Sequence, residues 1–292
     1  MPASSSKNKA TKLQNSFSKN ILTQQGGGGS VIPPPPLFIH NMQILLASAK
    51  TMHDSASGQY NLTEPLFSNK AEKFALDMQQ YTSDEIAQML GCSNTIAAQC
   101  KLRYNHFFDS QNTPAILAYH GQAYKHLRAD IFTAEELDFA QSHLWITSFL
   151  YGLLRPLDGI LPYRMEGKIE LPHGDGKNMF DFWKPFLTDI LIDAVKADDG
   201  ILIHLATEEF QHLFDWKRVS NEITIIQPTF YVRKGDKLKI QAVWAKTCRG
   251  AMTRYIITNK STKPDDILLF NYQGFTYSSN TSSLEKPIFV RE

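Results

Sequence analysis

The sequence predicts an α+β fold: a single compact mixed domain with a central mixed β-sheet, surrounding helices and a helix-hairpin-helix-like element, preceded by a disordered tail. Three observations predict it. Helical apolar spacing dominates the first half of the chain after residue 41, strand-length apolar runs dominate the second, and residues 1–41 lack the apolar density of a core. The domain boundaries follow as a tail over 1–41 and a folded body over 42–292.

The tail passes from a Ser, Lys and Asn-rich stretch through Gly26–Gly29 to Pro33–Pro36. Such a composition cannot bury enough apolar surface to offset its ordering entropy. No strand precedes the glycines and no Lys follows them at once, so they form a linker and not a phosphate loop.

The body opens on Met42-Gln-Ile-Leu-Leu-Ala47, an apolar run of strand length. Helical patterns follow at about 66–81, 83–90, 94–108, 133–154 and 180–196, and Thr133 with Glu136 has capping-box spacing. Strand signals then fall at 201–205, 223–226, 230–233, 239–244 and near Phe275 and Tyr277. The segment from Ala245 to Ile257 leaves a strand and enters a helix.

Of the 292 residues 42% are hydrophobic and 20% charged, which suits a soluble globular protein and excludes an acidic disordered chain or a fibre. Thirty Lys and Arg against 29 Asp and Glu give no overall charge that announces a nucleic acid or a membrane. No apolar run approaches the ~20 residues needed to span a bilayer, and the start lacks the order of a secretory signal. A cytoplasmic location without a membrane partner is expected. Cys92, Cys100 and Cys248 lack Cys-x-x-Cys spacing, so neither a disulfide framework nor a zinc site is indicated. No metal or cofactor is expected, and oligomeric state is not written in the pattern.

Charge is concentrated locally. Between Tyr231 and Lys263 lie Arg233, Lys234, Lys237, Lys239, Lys246, Arg249, Arg254, Lys260 and Lys263 against Asp236 alone. With Tyr231, Trp244 and Tyr255 among them, these suit phosphates and bases, while a solvated hairpin is the plainer reading of 233–239. Lys246, Arg249 and Arg254, with Gly250 at a strand-to-helix junction, suit an anion held by cations and backbone N–H groups.

A second cluster, Leu150 to Arg164, puts Arg155, Asp158, Tyr163 and Arg164 on a loop that Pro156 releases from helix. Its plainer reading is an internal Arg155–Asp158 ion pair. In a third, Ile86 to Ala97, Gly91, Cys92 and Ser93 match in outline a helix-hairpin-helix, whose turn offers backbone N–H groups to a DNA phosphate. Leu90 stands where a Pro is usual and Ser93 where a second Gly is usual, so an ordinary packing turn is the alternative. Glu209 and His212 at i and i+3 form at most half of a metal site, and Cys248 beside Lys246 and Arg249 is a candidate reactive thiol. No Walker loop, dinucleotide fingerprint, Gly-x-Ser-x-Gly or His-Glu-x-x-His is present, and no catalytic residue is identified.

From Met42 onward the chain resembles the YaaA peroxide stress protein family. The resemblance rests on Ala47-Ser-Ala-Lys-Thr51, Tyr151-Gly-Leu-Leu-Arg-Pro-Leu-Asp158 with Pro162-Tyr-Arg164, Phe182-Trp183, Leu205-Ala-Thr-Glu-Glu-Phe210, and Ala245-Lys-Thr-Cys-Arg-Gly-Ala-Met-Thr-Arg254. The family's Ser-Pro-Ala-Lys-Thr loses its Pro here, and Gln122 in Tyr119-His-Gly-Gln-Ala-Tyr124 replaces a family acid. The resemblance implies a positively charged cleft, a helix-hairpin-helix, and DNA binding in peroxide defence that limits damage from free intracellular iron. The DNA or phosphate-binding residues it favours are Lys50, Gly91, Cys92, Ser93, Arg155, Tyr163, Arg164, Lys246, Arg249, Gly250 and Arg254.

The first reading is therefore a sequence-independent binder of duplex or branched DNA. The second is an enzyme that takes a phosphorylated metabolite or nucleotide into a pocket of Lys50, Arg155, Asp158, Tyr163, Lys246 and Arg249. Direct iron or redox handling by Glu209, His212 or Cys248 is third. An enclosed cavity favours the second reading, and an open basic groove of duplex width the first.

Overall fold

The computed structural model describes residues 41–292. The expected tail lies, apart from Asn41, outside the described residues. β1 (Gln43–Ala47) buries Ile44, Leu45 and Leu46 completely, as expected of a strand covered on both faces. Then come α1 (Ser68–Gln80), α2 (Ser83–Leu90), α3 (Asn94–Asn105), β2 (Thr113–Pro114), α4 (Ala115–Ala118), α5 (Gln122–Leu127) and α6 (Ala134–His143). The chain continues through β3 (Leu144–Ser148), β4 (Gly152–Leu154), β5 (Gly159–Ile160), α7 (Met179–Lys196), β6 (Ile201–His204), α8 (Trp216–Glu222), β7 (Thr224–Ile226) and β8 (Thr229–Lys234). It closes with β9 (Lys237–Lys239), α9 (Ala242–Thr258), β10 (Phe275–Tyr277) and β11 (Ile288–Arg291).

This is the mixed α and β domain expected, with its strands divided among sheets. The main sheet has the order β4-β3-β1-β6-β7, parallel except for the β4 edge. Leu45 lies opposite Trp145 on one side and His204 on the other. A second sheet, β10-β11-β8-β9, is built on Phe230 stacked against Phe289 at 5.5 Å. β2 and β5 form a small separate pair.

Local signals explain most boundaries. Thr133 and Glu136 form the expected capping box at α6, and Thr82 with Glu85 forms another at α2. The Glu85 carboxyl is held below its ordinary value by its hydrogen bonds to Thr82.

Two expectations fail. The helix expected over 133–154 ends at His143, and Leu144–Ser148 pairs with β1. Leu144-Trp-Ile-Thr-Ser148 belongs to a mostly apolar stretch, which periodicity alone cannot assign. The vacant parallel edge of β1 decides for strand. The strand expected over 239–244 is also replaced: β9 ends at Lys239 and α9 begins at Ala242. Ala245, Cys248, Met252 and Ile256 then form the buried face of α9.

α9 packs on α5 and also reaches β1 in one sheet and β8 in the other. Gly250 makes this approach work. A Cβ there would lie 1.8 Å from the Ala123 carbonyl oxygen, so α5 sits directly on the bare backbone of α9. Gly250 is buried mid-helix, not at the exposed strand-to-helix junction expected from the sequence. Gly250→Ala is expected to force the helices apart and cost ~1–3 kcal/mol, read as a lower urea midpoint. An unchanged midpoint would show that α5 yields freely.

Candidate functional site

The connections leaving β1 and β3 fix where a site can form. β3 and β6 flank β1, so the chain goes from β1 to one side and then returns past it to the other. In open α/β sheets such a switch point opens a crevice outside the carboxyl ends of the strands. Here the crevice is a cavity of about 310 Å³. Its wall includes Ser48–Thr51 after β1, Phe149 after β3, and Leu205 and Thr207 after β6. Gly121–Tyr124 at the start of α5, Tyr163–Glu166, Glu209, Phe210, and Lys246 and Arg249 of α9 complete it.

Lys50, Tyr163, Arg164, Lys246 and Arg249, expected from the sequence to share a site, all line this cavity. Tyr163 is buried, with its hydroxyl 2.8 Å from that of Tyr119 and 2.7 Å from Ser148 Oγ. Burial raises its phenol pKa, against the effect of hydrogen bonds from Ser148, Tyr119 and Ser48. Lys50 Nζ lies 2.8 Å from Glu166 Oε2, and Arg164 Nη2 lies 3.4 Å from Glu166 Oε1. The Arg164 Nε is buried without an acceptor among the described residues.

Arg249 differs from these. Among the described residues no carboxylate lies within ion-pair distance of it, and burial pulls its pKa down while Glu208 opposes the shift. His204, at the end of β6, is buried with no hydrogen-bond partner on either ring nitrogen among the described residues and packs on Trp216 with ring centroids 4.9 Å apart. Burial and the Arg249 charge push its pKa down to about 3, so it is a neutral imidazole at physiological pH.

Other expected site residues lie elsewhere. The Arg155 guanidinium lies 3.3 Å over the Trp145 ring and donates to Gln43 Oε1 and to the Ser142 and Leu144 carbonyls, at the opposite end of β1. Asp158 accepts the Arg155 backbone N–H and the Thr63 hydroxyl, so it fixes the loop through backbone instead of pairing with the guanidinium. Arg254 donates to the Leu127 and Arg128 carbonyls and thereby caps α5. The buried backbone of Gly250 is committed to α9, which removes the anion-binding role expected for it.

Gly91, Cys92 and Ser93 form a separate feature, the turn between α2 and α3. Gly91 has φ 55°, a left-handed cap that favours glycine, and the Ser93 hydroxyl accepts the Ile96 N–H. Gly91, Ser93, Asn94 and Thr95 are exposed, and the first N–H groups of α3 have no intrahelical acceptor. α3 connects this turn to the crevice, because Tyr104 Oη donates to the Arg164 carbonyl at 2.9 Å and Cys100 Sγ approaches it at 3.8 Å.

The remaining candidates do not assemble. Among the described residues no group of three or more His, Cys, Asp or Glu could hold a metal. His212 packs edge-on to Phe180, away from any ligand set. Cys248 is fully buried and its thiol is pushed up to about 12, the reverse of an activated thiolate. Gln122 donates to Thr247 Oγ1 at 2.8 Å on the crevice wall. Glu166 was not foreseen. Its one sequence signal is the Arg164-Met-Glu166 spacing, which puts both side chains on one side of an extended segment.

A crevice at the carboxyl ends of a mainly parallel sheet marks the switch point of a mixed α and β domain. Residues 42–281 match the family model of peroxide stress protein YaaA, and the chain belongs to that family. The chain is 45% identical to a UPF0246 protein of Phocaeicola vulgatus over 245 residues, covering 83% of this chain and 96% of the relative. It is also 40% identical to a UPF0246 protein of Bacteroides thetaiotaomicron over 252 residues, covering 85% and 98%. A UPF0246 protein of Porphyromonas gingivalis is 38% identical over 256 residues, covering 86% and 100%. No helix among the described residues is long and apolar enough to cross a membrane.

His204 sets an acid limit. Between about pH 6.5 and 3 the unfolded chain binds a proton on this imidazole and the folded chain does not, so stability falls as pH drops through that window. In urea midpoints measured against pH, His204→Phe should flatten this slope while keeping stability at pH 7. An unchanged slope would assign the acid sensitivity to other groups.

Proposed function

We propose that the protein binds DNA without regard to sequence as part of peroxide defence, and that it limits damage driven by free intracellular iron by shielding DNA. The observation behind this reading is the exposed α2–α3 turn, where a left-handed Gly91 and a Ser93 cap leave the opening N–H groups of α3 facing solvent. Such a turn holds one phosphate through backbone donors, which carries no sequence information.

The β8–β9 hairpin supports the same reading. Lys234 lies directly opposite Lys237, and the strand alternation puts Lys239 on the same face. Opposed like charges weaken a sheet, and a polyanion relieves that repulsion. Phosphate contacts of this kind give a log affinity that falls against log salt with a slope of about −0.9 per neutralised duplex phosphate.

The test is fluorescence anisotropy with duplex, single-stranded and branched DNA over a range of salt. Ser93→Asp keeps a good helix cap but sets a carboxylate where the phosphate would sit, so affinity should drop roughly tenfold for every sequence. Wild-type affinity in this variant would remove the turn from the interface. Replacing Lys234, Lys237 and Lys239 together with Gln should make the salt slope shallower by about 1–3. An unchanged slope would leave the hairpin as a solvated edge.

A second reading is favoured by the crevice itself. At about 310 Å³ it is the size of a small-ligand pocket, with Arg249 and Lys246 outside any ion pair among the described residues. A phosphorylated metabolite or nucleotide fits that chemistry. Calorimetry with nucleoside monophosphates and inorganic phosphate separates the readings: saturable binding in a protein that ignores DNA would favour the pocket enzyme.

A further inference from the structure

We infer that the crevice receives one unpaired nucleotide of the bound DNA, a reading that rests on the DNA-binding proposal and adds the substrate class of the cavity. The cavity, about 310 Å³, is far too small for a duplex but matches one base with its sugar. Its inner wall is aromatic, since Phe149 and Phe210, stacked on each other with centroids 4.8 Å apart, both line it. A flat heterocycle leaving its stack needs such apolar and aromatic walls.

The rim suits the backbone on either side of that base. Lys50 and Lys246 are exposed there, and Arg249 is largely buried with no carboxylate at ion-pair distance among the described residues. Glu166 and Glu209 stand on the same wall as acceptors, which suits the amino edges of bases and opposes a dense anion such as a free di- or triphosphate.

The α2–α3 turn is linked to this pocket through α3 and its hydrogen bonds. Tyr104 and Cys100 of α3 grip the Arg164 carbonyl, whose side chain forms the pocket wall. A duplex phosphate seated at Ser93 would therefore be held in register with the cavity, as an enzyme or sensor that extrudes a base requires. Extrusion costs least where pairing is already broken, so a mismatched, bulged or damaged site should be preferred.

The experiment uses the full chain and duplexes that carry 2-aminopurine, fully paired or opposite a mismatch, with anisotropy and fluorescence followed together. The expected result is binding roughly tenfold tighter to the mismatched duplex, with a rise in 2-aminopurine emission as the base leaves its stack. Thr207→Trp, which fills the cavity mouth, should abolish both effects, and the milder Lys246→Gln should weaken both if the tryptophan variant fails to fold. Binding of both duplexes with equal affinity and no rise in emission would overturn the pocket assignment while leaving DNA binding intact. An emission rise that survives in a folded Thr207→Trp variant would also overturn it. Failure to bind any DNA at low salt would overturn both readings.

Discussion

Everything described here depends on β1 being held in parallel on both edges. Ile44, Leu45 and Leu46 have no exposed face, so the strand is stable only with β3 and β6 beside it and helices above and below. The chain therefore goes from β1 to β3 and β4 on one side and returns past β1 to β6 and β7 on the other. The crevice is the space this topology leaves. α5, pressed onto α9 at Gly250, closes one side and brings Gln122 from one helix near Lys246 and Arg249 from the other.

Charge within that crevice is balanced more finely than a basic cleft would be. Glu166 answers Lys50 and Arg164 together, and Glu209 lines the same cavity as Arg249. An open groove made for phosphates would not keep two carboxylates among its cations. A pocket that recognises a base or a small polar ligand between flanking phosphates would. The two arginines that lie elsewhere have an equally physical explanation: each satisfies backbone carbonyls, Arg155 near the start of β3 and Arg254 at the end of α5, where unpaired acceptors would otherwise be buried or exposed.

How much of this was legible can be argued residue by residue. The caps at Thr133 and at Gly91–Ser93 act over three or four residues, so the sequence showed both ends of the α2–α3 turn. Lys50, Tyr163, Arg164, Lys246 and Arg249 were legible as chemistry because their motifs are dense in polar residues at element ends. The start of β3 was not legible, because Leu144 to Leu154 is mostly apolar without a clear period and its partner lies a hundred residues away in β1. Glu166 was overlooked for a related reason: its partner Lys50 arrives from a different strand end.

The sequence by itself determined the Thr133 cap, the strands β1, β6 and β7 of the main sheet, the family and the set of cations from which a site could be drawn. Those properties are set by neighbours along the chain or by composition. Only the tertiary structure decided which cations face the crevice and which cap backbone, that Gly250 serves helix packing and not an anion, and that the crevice has the volume of one small ligand. Each of those depends on distances between segments far apart in sequence, and local periodicity contains no information about them.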